Sequence, residues 1–256
     1  MFIHLGNTKL HAWTQNETGP TVFFIHGWAA SGFVWHPIFQ HWKSQNRLLA
    51  VDLQGTGFSD KPNTGYSLEL HTQNLVSALD QIDDEVILVG HSMGGALAQL
   101  VALERPSRLR GMVLMSPVPA SGVPMPAEER DFLRGLVGDP EGMSQVFGSM
   151  MAAGTCPELN ALVAASASLH PQAYLEGLDA FCGANFAARL ADLKTPTHVI
   201  CGEKEQPLTP EIMKAAVVDP IPNATFEVLQ GVAHYPQWES PETCTRVLEN
   251  AVGRFL

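Results

Sequence analysis

The sequence predicts an α/β fold in which a doubly wound, mostly parallel sheet carries helices on both faces. Three observations favour this fold. Short β-rich segments alternate with longer helical segments before residue 117 and again after residue 191. Several of the β-rich segments are apolar throughout, as strands buried on both faces of a parallel sheet are. The length of 256 residues suits one such domain with a modest insertion.

The predicted elements follow one another in chain order. A hairpin over residues 2–5 and 9–13 is predicted because both segments are β-rich and flank Gly6-Asn7, a dipeptide typical of tight turns. Six further strands are predicted from short apolar runs, at residues 21–26, 47–52, 85–90, 109–116, 195–202 and 225–230. Core helices are predicted at residues 33–42, 67–81, 92–104 and 241–255.

The segment 117–191 interrupts the alternation. It is rich in Ala, Met, Gly and Leu, and helices are predicted within it at residues 126–137, 141–153 and 157–169. We therefore expect a helical cap inserted before the last strands, with residues 1–116 and 192–256 forming the two parts of the core. The alternative is a separate helical domain without a catalytic role.

Composition and charge exclude several classes of partner. The net charge is −11 and the fifteen Lys and Arg residues are scattered, so the surface repels phosphate backbones and no nucleic-acid partner is expected. The sequence has no run of eighteen apolar residues, so no membrane span is predicted. We expect a small-molecule substrate and a monomer or homodimer.

The cysteines and the first ten residues suggest a compartment. The four cysteines form no CxxC pair, so free thiols in a reducing environment are expected rather than structural zinc. Residues 1–10 lack a charged segment followed by an apolar one, so they do not resemble a signal peptide. A cytoplasmic location is expected.

The strongest chemical signal is Gly90-His91-Ser92-Met93-Gly94, which fits G-x-S-x-G. A β-rich segment precedes it and a helical one follows, as expected for a nucleophilic serine on a sharp strand-to-helix turn. Gly90 and Gly94 remove bulk that would clash with the strained turn. The hydroxyl then lies at a helix N-terminus, where the dipole favours negative charge.

Serine needs an adjacent base and an acid that orients that base. His234 is the predicted base, since it lies between the last strand and the last helix. The expected order along the chain is serine, acid, histidine. The loop after the strand 195–202 contains no aspartate, so Glu205 is the predicted acid and Glu203 the second choice.

An oxyanion requires two backbone N–H donors. Met93, directly after the serine, and Trp28, after the strand 21–26, are the predicted donors. The Trp28 indole either lines the acyl pocket or packs under the cap. His26 is interpreted as a structural histidine that anchors this loop. The glycine-rich stretch 52–59 lacks the lysine of a phosphate-binding loop and is expected to shape the floor of the site.

These segments together resemble the α/β-hydrolase superfamily over essentially the whole chain. The resemblance rests on five motifs in the expected order: His26-Gly27, Asp52-x-x-Gly55-x-Gly57-x-Ser59, Gly90-x-Ser92-x-Gly94, Gly202-x-x-Glu205, and Gly231-x-x-His234 with Glu239-x-Pro241. Within the superfamily the chain is similar to small carboxylesterases and meta-cleavage-product hydrolases with a helical lid. It departs from the usual pattern in having Glu205 in place of aspartate.

The resemblance implies a serine hydrolase that forms an acyl-enzyme on Ser92 and needs no metal or organic cofactor. Because the cap is apolar, we expect an ester or lactone with a hydrophobic group as substrate. The candidate pocket residues are Trp28, Met93, Phe132, Met150, Phe181 and Tyr235. The alternatives are C–C bond hydrolysis of a diketone, acyl transfer, or a receptor that only binds its ligand.

Overall fold

An eight-stranded sheet forms the centre of the computed structural model, which describes residues 1–256 apart from the side chain of Pro106. The strand order is β1-β2-β4-β3-β5-β6-β7-β8. The first two strands are antiparallel to their neighbours and β3 to β8 are parallel. The strands are β1 (Phe2–Leu5), β2 (Thr8–Gln15), β3 (Thr21–Ile25), β4 (Arg47–Val51), β5 (Val86–His91), β6 (Leu109–Met115), β7 (Thr197–Gly202) and β8 (Thr225–Leu229).

Helices connect the strands. They are α1 (His36–His41), α2 (Leu68–Leu79), α3 (Met93–Glu104), α4 (Ala127–Gly135), α5 (Pro140–Ser149), α6 (Leu159–Ala167), α7 (Pro171–Cys182), α8 (Pro210–Met213), α9 (Pro236–Glu239) and α10 (Pro241–Gly253). Short 3-10 helices occur at Gly32–Trp35, Pro106–Arg108 and Ala187–Asp192, and a π-helical turn at Lys214–Val218. Four of the helices, α4 to α7, lie between β6 and β7.

The apolar strands divide the core into two layers. All five residues of β3 are buried, and successive side chains point to opposite faces of the sheet. Phe23 belongs to one hydrophobic cluster, which includes residues of α2 and α3. Phe24 belongs to the other, which includes residues of α1, α10 and the α4–α7 segment. The sheet is therefore covered on both faces, which confirms the predicted fold class.

The strands were easier to predict than the helices. All eight predicted strands are present, and their ends differ from the prediction by at most two residues. The predicted helix at 33–42 is divided into a 3-10 turn and α1. Helix α7 was not predicted, although Pro171 occupies its first turn and the His170 side chain accepts a hydrogen bond from the Gln172 N–H at 3.2 Å, a typical start signal.

Over the described part of the chain, no helix is both long and apolar enough to cross a membrane.

Ser240 occupies the N-cap position of α10, directly before Pro241, but its side chain makes no capping hydrogen bond.

Candidate active site

Ser92 lies on the sharp turn between β5 and α3, with φ of 55° and ψ of −122°. Residues other than glycine rarely adopt positive φ, so this conformation needs support from its surroundings. The Ser92 N–H donates to the Met115 carbonyl at 3.1 Å. The Ser92 carbonyl accepts from the N–H groups of Gly95 at 2.8 Å and Val118 at 2.9 Å. The turn thus holds the serine at the carboxyl edge of the parallel strands, where ligands bind in such sheets.

Glycines around the turn allow this close packing. A Cβ atom on Gly90 would lie 2.3 Å from the carbonyl oxygen of Gly94. One on Gly94 would lie 2.3 Å from the carbonyl oxygen of Ile25. One on Gly27 would lie 2.8 Å from the Ser92 Cβ. The loop after β3 therefore packs directly against Ser92, which only glycine at position 27 permits.

A histidine and a carboxylate meet beside this turn. The Nδ1 of His234 hydrogen-bonds the Oε1 of Glu205, and the Ser116 hydroxyl donates to the Oε2 of Glu205 at 2.6 Å. Glu205 is only 1% exposed, so its two carboxylate oxygens are shielded from water, and each has a hydrogen-bond partner in Ser116 or His234. The Nε2 of His234 is buried and has no hydrogen-bond partner among the described residues.

Glu203 occupies a different position. It is exposed, and its carboxylate accepts a hydrogen bond from the Gly231 N–H at 3.0 Å. Of the two candidate glutamates, Glu205 hydrogen-bonds His234, whereas Glu203 lies on the surface.

His91 hydrogen-bonds the backbone of His234. Burial holds the pKa of His91 well below its ordinary value, and the neighbouring His234 lowers it further. Because a carbonyl can only accept, the Nε2–H of His91 donates to the His234 carbonyl at 2.7 Å. The backbone N–H of His234 donates to the Met150 carbonyl at 3.0 Å, so both backbone polar groups of His234 are fixed.

His26 anchors the loop that follows β3. Burial lowers its pKa, and its Nε2 accepts from the Leu53 N–H at 3.0 Å. Its Nδ1–H is therefore free to donate to the Gly27 carbonyl at 2.8 Å. This arrangement agrees with a structural histidine.

The backbone N–H groups of Trp28 and Met93 donate to no acceptor among the described residues. The Met93 side chain is only 4% exposed and packs in the core. The prediction that this side chain lines the substrate pocket is wrong, because Met93 packs in the core cluster and is not among the residues that line the cavity containing Ser92. Only its backbone remains a candidate for contact with substrate.

Trp28 lies between the cavity and helix α7. It lines the cavity that contains Ser92, and its Nε1–H donates to the Tyr174 carbonyl of α7 at 2.8 Å. The ring centroids of Trp28 and Phe181 are 5.6 Å apart. A Cβ atom on Gly177 would lie 3.0 Å from the indole. The loop after β3 is thus joined to the helices between β6 and β7.

Ser92, His234 and Glu205 line one cavity of about 540 Å³, within the usual size of small-molecule sites. The predicted pocket residues Phe132, Met150, Phe181 and Tyr235 also line it. None of the described lining residues is Lys or Arg. A larger surface cavity of about 620 Å³ lies among α2, α3 and α7, and contains neither Ser92 nor His234.

Known proteins are similar to this chain in sequence or in fold. The model of the alpha/beta hydrolase family matches residues 22–247. The chain belongs to that family. It is 30% identical to the 2-hydroxy-6-oxononadienedioate/2-hydroxy-6-oxononatrienedioate hydrolase of Paraburkholderia phymatum, over 97% of this chain and 93% of the relative. This α/β-hydrolase is therefore an enzyme, and its relatives include hydrolases of several kinds.

One further relative and one solved structure of similar fold are named as esterases. The pimeloyl-[acyl-carrier protein] methyl ester esterase of Aeromonas salmonicida is 26% identical, over 92% of this chain and 96% of the relative. The solved structure of the esterase EaEST from Exiguobacterium antarcticum superposes with a TM-score of 0.89 at 22% identity, and the match covers 98% of each chain. The latter likeness concerns the fold.

Sequence reasoning missed several residues around the cavity of this hydrolase. Ser116 follows β6 directly, and its position at the carboxyl end of a strand beside β5 was the available signal. The others come from loops and helices whose orientation no sequence pattern fixes. They are Val118, Val123, Met125, Glu129, Leu133, Val146, Ser149, Gln206, Pro207 and Leu208.

The glycine-rich loop 52–59 contacts the loop that follows β3 but does not line the cavity. Asp52 is fully buried and accepts from the Gly32 N–H at 2.7 Å and the Phe58 N–H at 3.0 Å. Thr56 contacts the Nε2 of His26 at 3.1 Å. No residue of this described loop lines the cavity, so the expectation that it forms the floor is wrong. It braces the loop after β3 instead.

Proposed function

We propose that this α/β-hydrolase cleaves a carboxylic ester or lactone with a hydrophobic moiety through an acyl-enzyme on Ser92. The observation that carries the proposal is the state of His234. Its Nδ1 is hydrogen-bonded to buried Glu205, its Nε2 has no partner among the described residues, and His234 lines the same cavity as Ser92. A general base for serine needs a ring nitrogen free to accept the hydroxyl proton and a carboxylate that orients the ring, and both features support the proposal.

The reaction follows from these positions. The Nε2 of His234 takes the Ser92 proton as the hydroxyl oxygen attacks the acyl carbon. Glu205 stabilises the resulting imidazolium. The free N–H groups of Trp28 and Met93 donate to the oxyanion of the tetrahedral intermediate. The alcohol leaves with the proton from His234, and water then hydrolyses the acyl-enzyme by the same transfers in reverse.

The lining of the cavity supports a hydrophobic substrate. Apolar side chains from α4, α7 and the C-terminal end of α5, among them Phe132, Met150 and Phe181, line the cavity that contains Ser92. We assign residues 117–191 the role of a cap on this basis. The four cysteines of the described chain are buried and unpaired, which is consistent with a cytoplasmic enzyme.

C–C bond hydrolysis is the second candidate, because the 30% identical relative is a hydrolase of a 2-hydroxy-6-oxo dioate by name. A dioate carries two carboxylates, and such groups are usually bound by Arg or Lys. The described lining of this cavity contains neither. The cavity therefore favours ester or lactone cleavage over this diacid chemistry.

Parallel turnover assays test the proposal. The substrates are 4-nitrophenyl esters from acetate to decanoate, a set of lactones, and a 2-hydroxy-6-oxo dienoate. We expect ester or lactone turnover that is lost in Ser92→Ala, with an optimum at a medium or long acyl chain. Turnover of the dienoate alone would overturn ester hydrolysis and establish the second candidate.

A further inference from the structure

The fixed charges of the active-site cavity are of one sign. Its carboxylates are Glu205 and Glu129. Glu205 is occupied by Ser116 and His234. Glu129 is exposed on α4 and takes part in none of the ion pairs that the described residues form. Its charge is therefore not neutralised by a protein partner.

The cations of the same helix do not compensate this charge inside the cavity. Arg134 pairs with Asp179 of α7 at 2.5 Å. Neither Arg134 nor Arg130 is among the lining residues in the described chain. Glu129 shares the lining with exposed Phe132, one turn further along α4. The opening of the cavity thus combines an apolar surface with a single unpaired carboxylate.

We infer that the cavity selects acyl groups without negative charge and that Glu129 is the residue that discriminates against acyl groups bearing a carboxylate. The inference rests on the proposed function and names the substrate class of the same site. A carboxylate that entered the apolar cavity would lose its hydration without gaining a cationic donor. Glu129 would also repel it, and would attract a cationic group in the same place.

Three substrates with a six-carbon acyl chain and different terminal charges separate these two effects. They are the 4-nitrophenyl esters of hexanoic acid, of adipic acid with its second carboxylate free, and of 6-(trimethylammonio)hexanoic acid. Loss of hydration penalises both ions, whereas Glu129 acts with opposite sign on the two. For the wild-type enzyme at low salt we expect kcat/KM for the neutral ester to exceed that for the anionic ester at least about tenfold.

The variant Glu129→Gln tests the residue itself. Two unit charges about 4 Å apart in water change an equilibrium about fivefold. Because Glu129 attracts the cation and repels the anion, the two effects multiply, and the cation-to-anion ratio of kcat/KM should fall about 25-fold at that separation. The matched control is Glu128→Gln, which removes the same charge from the same helix at an exposed position outside the described lining. The ratio should change less than about twofold there, and 0.5 M salt should diminish the Glu129 effect by screening.

A second measurement does not depend on ester turnover. Fluorophosphonates with the same three tails modify Ser92, and intact-protein mass gives the rate of modification. Should the esters not be hydrolysed, the proposed function fails, yet these rates still decide the charge selection. Equal rates for the neutral and anionic tails, or equal effects of Glu129→Gln and Glu128→Gln, would overturn this inference and leave the hydrolase function intact.

Discussion

Ser116 provides the sharpest prediction about the site, because its hydroxyl donates to the buried Oε2 of Glu205 at 2.6 Å. In Ser116→Ala this oxygen loses its donor while the carboxylate stays buried. Hydrogen bonds to charged groups contribute about 1.5–3 kcal/mol. If this loss affects the transition state alone, kcat/KM falls about 10- to 150-fold. Alanine rather than threonine is the test, since position 116 has a φ of 44°, which β-branched residues tolerate poorly.

Ser149→Ala is the matched control for this prediction. Ser149 lines the same cavity, but its hydroxyl donates to the Val146 carbonyl of its own helix at 2.7 Å. We expect its kcat/KM to stay close to that of the wild type. The assay is steady-state ester hydrolysis, with thermal unfolding of each variant to verify folding. Equal losses in the two variants would refute the role of Ser116, as would an undiminished Ser116→Ala cost in a Glu205→Gln background, where the partner carboxylate is gone.

Three further predictions follow from other contacts. Glu205→Gln should lower kcat about 10³- to 10⁴-fold in steady-state assays, whereas Glu203→Gln should leave it nearly unchanged; similar losses would contradict the choice of acid. Trp28→Phe removes the hydrogen bond to α7 and should lower the free energy of unfolding in urea by about 1 kcal/mol. Burial lowers the pKa of His71 to about 4, so the unfolded chain binds a proton at this residue at a higher pH than the folded protein does. The free energy of unfolding should therefore fall by about 3 kcal/mol as the pH is lowered from 6.5 to 4. Urea titrations should show a smaller fall over this pH range for His71→Gln than for the wild type.

The sequence was most informative where local geometry is strict. The turn at Ser92 needs glycine on both sides, since a Cβ at Gly90 or Gly94 would lie 2.3 Å from a carbonyl oxygen. That requirement leaves a pattern in the sequence. The strands were also predictable, because a central strand such as β3 is buried at all five positions and must be apolar throughout.

The sequence was least informative where tertiary packing decides. The sequence favoured Glu205 over Glu203 but kept both as candidates, since both follow β7; the hydrogen bonds of Glu205 to Ser116 and His234 make the distinction. Met93 and Phe132 were equally plausible as pocket residues from their side chains. Their elements give them opposite positions, Met93 in the core and Phe132 at the cavity.

Covalent labelling shows whether Ser92 is the nucleophile. The protein is treated with an alkyl fluorophosphonate, and the modified residue is identified by intact mass and peptide mapping. We expect one stoichiometric adduct on Ser92, formed rapidly in the wild type, much more slowly in His234→Ala and not at all in Ser92→Ala. An unmodified Ser92, or an adduct on another residue that persists in Ser92→Ala, would show that Ser92 is not the nucleophile.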